Sequence, residues 1–395
     1  MWWERRDLRY NNGVLYLGKQ NLLDLAKTSQ NPVYAYSADR IRENVSRLES
    51  ALQSKNFRYR IFYAMKSNRF MPLLTLLRSL EKCGVDVCSP GELLHARQCG
   101  FLENEISYTG TSVSNEDLAI ILTQKDLYLH LDSISSIKRV GELCPGRTIG
   151  IRVNPAMGLG YATNELLRYS GNRPTKFGIY KESFHQALET AAKYNLRVNS
   201  IHFHTGCGYL DPQLEQWEEI LTGAKWFVNQ LDEVHHVNTG GGLGIPLVKD
   251  DAPLDLKKWS EVLHRVFGNP DYELWVEPGD YIVKDSGVLL VKVNTVEEKS
   301  GVHFVGVNAG FNIHIEPAFY KLPLEPVPVI AKSRELKKTT LAGNINEALD
   351  IFYHDFLMEH VDEGEYLAFL NSGGYGAAMS SNHCMRGNFT EYLIW

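Results

Sequence analysis

Between residues 61 and 279 the chain repeats one theme eight times: a short, β-rich run, then a turn, then an amphipathic helical pattern. No other feature narrows the fold as far. The runs are Ile61–Lys66, Val85–Ser89, Ile106–Gly110, Tyr128–Ser133, Ile149–Asn154, Asn199–Thr205, His235–Gly241 and Glu273–Gly279. Each is largely apolar, as a strand buried on both faces must be. Helical patterns such as Met71–Lys82, Pro90–Cys99, Glu116–Thr123, Glu182–Tyr194 and Pro212–Gln230 lie between them. Eight parallel strands alternating with helices predict a (β/α)8 barrel, with chemistry at the C-terminal strand ends.

Beyond about residue 280 the texture changes to β-rich segments, among them Gly287–Val293, Val302–Val307 and Tyr366–Leu370. At 395 residues the chain exceeds what one core usually holds. The expected fold class is therefore α/β plus β. A barrel spans 33–280, and a β-sandwich or β-barrel domain is built from 281–395 with residues 1–32. Gly13–Leu17 would add a strand to that domain, and Pro32–Ser37 would lead into the barrel. The stretch Pro155–Lys176 is long for a barrel loop, which suits a lid or binding loop as well as a plain surface insertion.

Charge excludes some partners. A net charge of -6 with 22% charged residues offers no basic field for nucleic acid or an anionic membrane. The opening residues lack an apolar leader pattern and no later run has membrane length, so a cytoplasmic location is expected. The six cysteines lack paired C-x-x-C spacing and the density of a disulfide scaffold.

The polar oddities fall at strand ends. Lys66 closes the first run, where desolvation would lower its pKa and free the amine to attack an aldehyde, although a rim lysine is usually a solvated charge. Glu277, in Trp-Val-Glu-Pro-Gly, follows the eighth run. A carboxylate there could keep a pyridine nitrogen protonated, or could simply form an ion pair. Gly240-Gly241-Gly242 follows the seventh run, where barrels commonly bind phosphate through backbone N–H groups. His204 offers a flat ring to cover a cofactor, with Gly206, Cys207 and Gly208 giving a close backbone approach. His202 points the same way but deeper and reads as a core histidine. A metal on this pair lacks a third ligand by spacing, so none is expected.

Taken together, these motifs resemble those of the fold-type III pyridoxal-phosphate decarboxylases, within them the diaminopimelate decarboxylase branch, nearly end to end. The carriers are Tyr-Ala-Met-Lys66-Ser-Asn, Val-Asp86-Val-Cys-Ser-Pro-Gly-Glu92-Leu, Ile-Arg152-Val-Asn-Pro, Lys176-Phe-Gly-Ile, Phe-His204-Thr-Gly-Cys-Gly, Gly240-Gly-Gly-Leu-Gly, Glu277-Pro-Gly, Asn346-Glu347 and Ser-Gly-Gly-Tyr375-Gly. The resemblance implies pyridoxal 5'-phosphate as cofactor, held by Lys66 as a Schiff base with Asp86 close by. It implies His204 stacked on the ring, Glu277 at the ring nitrogen and Arg152 near the ring. Gly240, Gly241, Gly242, the Gly206–Gly208 turn with Cys207, and Tyr375 would surround the phosphate. It also implies a homodimer with shared sites, in which Glu347, Asp350 and Tyr375 serve the partner's cofactor.

Three matched positions depart from the family pattern. Its Glu-Pro-Gly-Arg reads Glu-Pro-Gly-Asp280, and the arginine before its Pro-x-x-Tyr is Glu316, in Glu-Pro-Ala-Phe-Tyr320. Two guanidinium positions suited to a distal carboxylate have become acids, which would favour a cationic amino acid, free or as an aminopropyl conjugate, over diaminopimelate. Both acids could equally turn outward onto lysines. The third departure is Asn346, where the family has a cysteine thought to donate a proton; an amide is no useful acid. The open alternatives are diaminopimelate decarboxylation, racemisation, which Glu277 argues against, and a partner-binding homologue without catalysis, which retention of Lys66, His204 and Glu277 argues against.

Overall fold

The computed structural model describes residues 1–161, 164–167, 169–171 and 173–395. Eight parallel strands close into a barrel: β1 (Tyr59–Ala64), β2 (Cys83–Val87), β3 (Ile106–Thr109), β4 (Tyr128–Leu131), β5 (Thr148–Asn154), β6 (Arg197–His202), β7 (His236–Asn238) and β8 (Glu273–Val276). Closure comes from β8 pairing with β1 and β4 with β5. All eight expected runs are strands, and all but the fifth are trimmed at their C-terminal ends. That trimming matters, because Lys66, His204, Gly240 and Glu277 stand just beyond the ladder, on backbone free to turn into the mouth.

Local chemistry sets the connections. Ser89 accepts a hydrogen bond from the Glu92 N–H and Pro90 opens the helix Pro90–Gln98, while Ser37 caps Ala38–Gln53 through the Arg40 N–H. In Leu256–Phe267 the buried residues Leu256, Trp259, Leu263 and Val266 form one stripe against the barrel. The barrel interior is unusually polar for a layer normally filled by branched apolar side chains. Ser107, His130, Ser200, His202, His236 and Asn238 are all at most 6% exposed.

The second domain is an eight-stranded mixed sheet centred on Gly287–Lys299. The segment Val33–Ser37, expected to lead into the barrel, instead pairs antiparallel with Gly287–Leu290 and parallel with Thr390–Ile394. Its five residues are all buried, so tertiary pairing overrode its position next to the first barrel helix. The change of domain thus falls between Ser37 and Ala38. Val14–Leu17 lies in a small three-stranded sheet with Leu8–Asn11 and Gln20–Asn21. Leu8, Leu15, Leu17 and Leu22 pack there on Val33, Val288, Leu290 and Ala368 in a core separate from that of the barrel. At the junction Asp285 accepts from Arg40 (2.6 Å) and Asn44 (2.8 Å), which pins the first barrel helix to the start of the sheet domain.

Among the described residues no helix is long and apolar enough to cross a membrane. The expected lid, Pro155–Lys176, lies partly outside the described residues, at 162, 163, 168 and 172. Within the rest of it, Leu159–Gly160 pairs with Gly206–Cys207.

Candidate active site

Lys66 sits on a tight turn, Met65–Ser67, directly after β1. Two contacts stitch this turn to the sheet domain: Tyr375 N–H donates to the Ser67 carbonyl (2.7 Å), and Asn68 Nδ2 donates to the Gly373 carbonyl (2.9 Å). Tyr375 adopts a left-handed backbone, φ 55°, which commits its chain to turn back over the barrel mouth. One cavity is then lined by Lys66, Asp86, His204, Cys207, Gly208, Gly242, Glu277, Asp280 and Tyr375, with Tyr169 added from the long loop.

Glu277 is held from three sides. His202 Nε2 donates to Oε2 (2.8 Å), Asn238 Nδ2 donates to Oε1 (2.6 Å), and Ser107 Oγ lies 3.4 Å from Oε1. Burial opposes ionisation, but the His202 imidazole and its hydrogen bond, with Lys66 nearby, hold the carboxyl well below the usual carboxylate range. Neither His202 nor Asn238 stood out in the sequence as part of the site. Alternation did place His202 beneath His204, but its partner comes from a strand 75 residues further on.

His204 accepts a hydrogen bond at Nδ1 from the Gly241 N–H (3.2 Å), and its ring packs edge-on against Tyr169 at 4.7 Å. Burial, then the charges of Lys66 and Arg152, keep its pKa well below the usual value, so it is a neutral, flat ring. The glycine run is compelled by backbone approach. A Cβ on Gly241 would lie 2.1 Å from the Glu277 carbonyl oxygen, and one on Gly242 would lie 2.4 Å from that of Gly206.

Lys66 corrects one expectation. Burial does disfavour its ammonium, but the negative potential of Asp86, Tyr169 and Cys88 outweighs it, and the pKa is raised. Asp86 is 4% exposed, and its Oδ1 has no hydrogen-bond partner among the described residues. Arg152 lies deeper, its guanidinium 4.6 Å over the Phe177 ring, and acts on the site through its charge. Cys207 donates to the Leu167 carbonyl at 3.5 Å, and burial, then Asp280, push its thiol up to about 12, so it is no nucleophile.

Of the two acids at the family's arginine positions Glu316 is buried and Asp280 partly so, and they are joined by a lysine the sequence reading missed. Lys284 Nζ donates to Glu316 (2.5 Å) and Asp280 (3.4 Å), and His314 contacts the other Glu316 oxygen at 3.2 Å. The spacing of Asp280 and Lys284, one helical turn apart, was the available signal. Glu316 has both oxygens occupied. Asp280 Oδ1 has no partner among the described residues, and Asp280 lines the cavity. Tyr320 is half-buried at the end of the same segment, and its carbonyl accepts from Asn164.

Asn346, Glu347 and Asp350 do not reach this cavity. Glu347 is exposed and faces His383, whose Nε2 is 3.5 Å away. Asp350, expected at a cofactor, turns inward. Its carboxylate accepts the N–H groups of Phe311 and Ile345, each at 2.6 Å, and so ties the loop that carries Ile345 to the turn at Phe311.

An amine and an unpartnered carboxylate at its side, a flat imidazole, backbone brought close by glycines and a fixed acid opposite form the donor set that pyridoxal phosphate requires. Barrel and site together define a pyridoxal-phosphate-dependent carboxy-lyase. Residues 38–284 match the family model described as the pyridoxal binding domain of pyridoxal-dependent decarboxylases. The diaminopimelate decarboxylase of Methanothermobacter thermautotrophicus is 32% identical over 98% of this chain and 92% of its own, and that of Aquifex aeolicus is 31% identical with the same coverage. The structure of the M. jannaschii diaminopimelate decarboxylase in complex with L-lysine superposes with a TM-score of 0.89 at 26% identity, covering 98% of this chain and 92% of that one. The chain belongs to the fold-type III pyridoxal-dependent decarboxylases, on the diaminopimelate decarboxylase branch.

Proposed function

We propose that the enzyme decarboxylates an amino acid whose far end is cationic, such as lysine, ornithine or an aminopropyl conjugate. The observation that carries this reading is the Asp280 carboxylate, which lines the cavity with Oδ1 unpartnered. Lys284 compensates one of the two acids, so Asp280, Glu316 and Lys284 together leave about one negative charge rather than two. One opposite charge at about 4 Å and an effective dielectric near 20 is worth roughly 4 kcal/mol before desolvation, enough to decide selectivity.

Lys66 would anchor the cofactor and Glu277 would keep its ring nitrogen protonated, while His204 covers the ring and the turns at Gly206–Gly208 and Gly240–Gly242 receive the phosphate. Bound there, the cofactor supplies an electron sink for the carbanion left by loss of carbon dioxide. Asp280 would orient the substrate's far end. The second reading is decarboxylation of diaminopimelate itself, favoured by the named relatives. Carbon dioxide release from lysine, ornithine, arginine, diaminopimelate and carboxylated polyamines tests both, and a preference for diaminopimelate over lysine and ornithine would reject the first.

A homodimer with shared sites supplies the remaining residues in this proposal. Glu347 is exposed and stands away from its own cavity, facing His383. This face would carry Asn346 and Glu347 toward the partner's cofactor.

A further inference from the structure

The barrel has a second opening. At the N-terminal ends of the strands a cavity of about 920 Å³ is walled by Tyr128, Arg197, Glu273 and Trp275, and His130 and His236 line it from within. Its inner wall lies close to the acid of the active site. His130 Nδ1 is 3.4 Å from Ser107 Oγ, and Ser107 Oγ is 3.4 Å from Glu277 Oε1. The directions agree: Ser107 donates to the carboxylate, so His130 Nδ1–H donates to Ser107, which leaves His130 Nε2 as a lone-pair acceptor. That Nε2 is buried and has no hydrogen-bond partner among the described residues.

An apolar side chain would fill this layer, yet the chain sets here a ring nitrogen with no partner among the described residues, on a residue that lines the cavity. The backbone makes room for the ring specifically: a Cβ on Gly150 would lie 2.3 Å from His130 Cδ2. Burial and the neighbouring His202 bring the His130 pKa down to about 3, so the ring is neutral, with one proton and one lone pair.

We infer that His130 and Ser107 form a proton path connecting Glu277 with solvent at the mouth opposite the active site. A hydronium ion in the cavity gives a proton to His130 Nε2 and is left as water, His130 gives its Nδ1 proton to Ser107, and Ser107 gives its hydroxyl proton to Glu277 Oε1. One N–H or O–H bond forms for each that breaks, and the net change is one proton delivered. The path would exchange the proton held between Glu277 and the cofactor's ring nitrogen with solvent while the C-terminal mouth is covered. It rests on the reading of Glu277 as the nitrogen's partner.

The test is proton NMR of the holoenzyme, following the downfield resonance of the ring-nitrogen proton and its exchange with water by saturation transfer. Ser107→Ala and His130→Phe should slow exchange at least about tenfold with cofactor content and resonance position kept. Thr109→Val, which removes a hydroxyl that contacts His130 but not Glu277, should exchange like wild type. Ser107→Ala removes a single buried oxygen, so it serves if the histidine variant fails to fold. Exchange unchanged within twofold in Ser107→Ala overturns the path. Glu277→Gln separates the two ideas: loss of the resonance there supports the nitrogen assignment whatever the exchange rates show, and an unchanged resonance overturns both.

Discussion

His202 Nε2 donates a 2.8 Å hydrogen bond to Glu277 Oε2 in the barrel core, where the two side chains are 2% and 6% exposed. This pair decides how the Glu277 carboxyl titrates. A carboxylate with a depressed pKa works above that pKa and fails as pH falls through it. Replacing His202 with Leu removes the largest opposing influence to burial, so the pKa rises and the acid limb of kcat moves to higher pH. A loss of roughly tenfold in kcat, about 1.4 kcal/mol, is expected near neutrality. His202→Gln, which can still donate, should recover part of it. A pH–rate profile superimposable on wild type would mean that His202 only fills space.

Lys66→Ala should abolish turnover, since in the proposed reading the amine both anchors the cofactor and releases product. Borohydride treatment followed by mass analysis should find covalent cofactor in wild type and none in the variant. Full activity without Lys66 would overturn the central assignment.

The barrel was legible because strands buried on both faces carry their own period and because Lys66, His204 and Glu277 sit where those runs end. What stayed hidden were the partners of these residues. His202 with Glu277, and Lys284 with Glu316, are separated by 75 and 32 positions, and such pairs are created by closure of the barrel or docking of the sheet. Lys66 shows the same limit. Its strand-end position implied desolvation, but the sign of its pKa shift depends on Asp86 from the next strand. Val33–Ser37 was misplaced because its pairing partners lie some 250 and 350 residues away.

The proposed shared sites make a mixing prediction. Lys66→Ala and Glu347→Ala should each be inactive alone, yet one site of a mixed dimer keeps both wild-type residues. With free exchange at equal amounts, activity should recover to about a quarter of wild type. No recovery, with subunit exchange demonstrated by mass, would count against a site completed by a second copy.

The two acids should behave differently despite their shared lysine. Glu316 has both oxygens paired with Lys284 and His314, so Glu316→Ala leaves the buried Lys284 ammonium with only its 3.4 Å contact to Asp280 and should cost about 3 kcal/mol of stability, measured by denaturant unfolding. Asp280 has one oxygen free, and burial raises its pKa to about 6 despite Lys284. Its ionised form is therefore the strained one: the folded protein holds the Asp280 proton more tightly than the unfolded chain, so ionisation lowers stability as pH rises toward and through 6. Asp280→Asn should accordingly leave stability unchanged or improved near pH 7. It should also raise KM for a cationic substrate roughly tenfold or more, and wild-type KM should climb as pH falls below about 6 and the carboxylate is lost. The charge reversal Glu316→Arg, where it folds, should shift preference toward diaminopimelate. If Asp280→Asn leaves KM for lysine and ornithine unchanged across this pH range, the free oxygen of Asp280 does not meet the substrate, and the cationic reading fails.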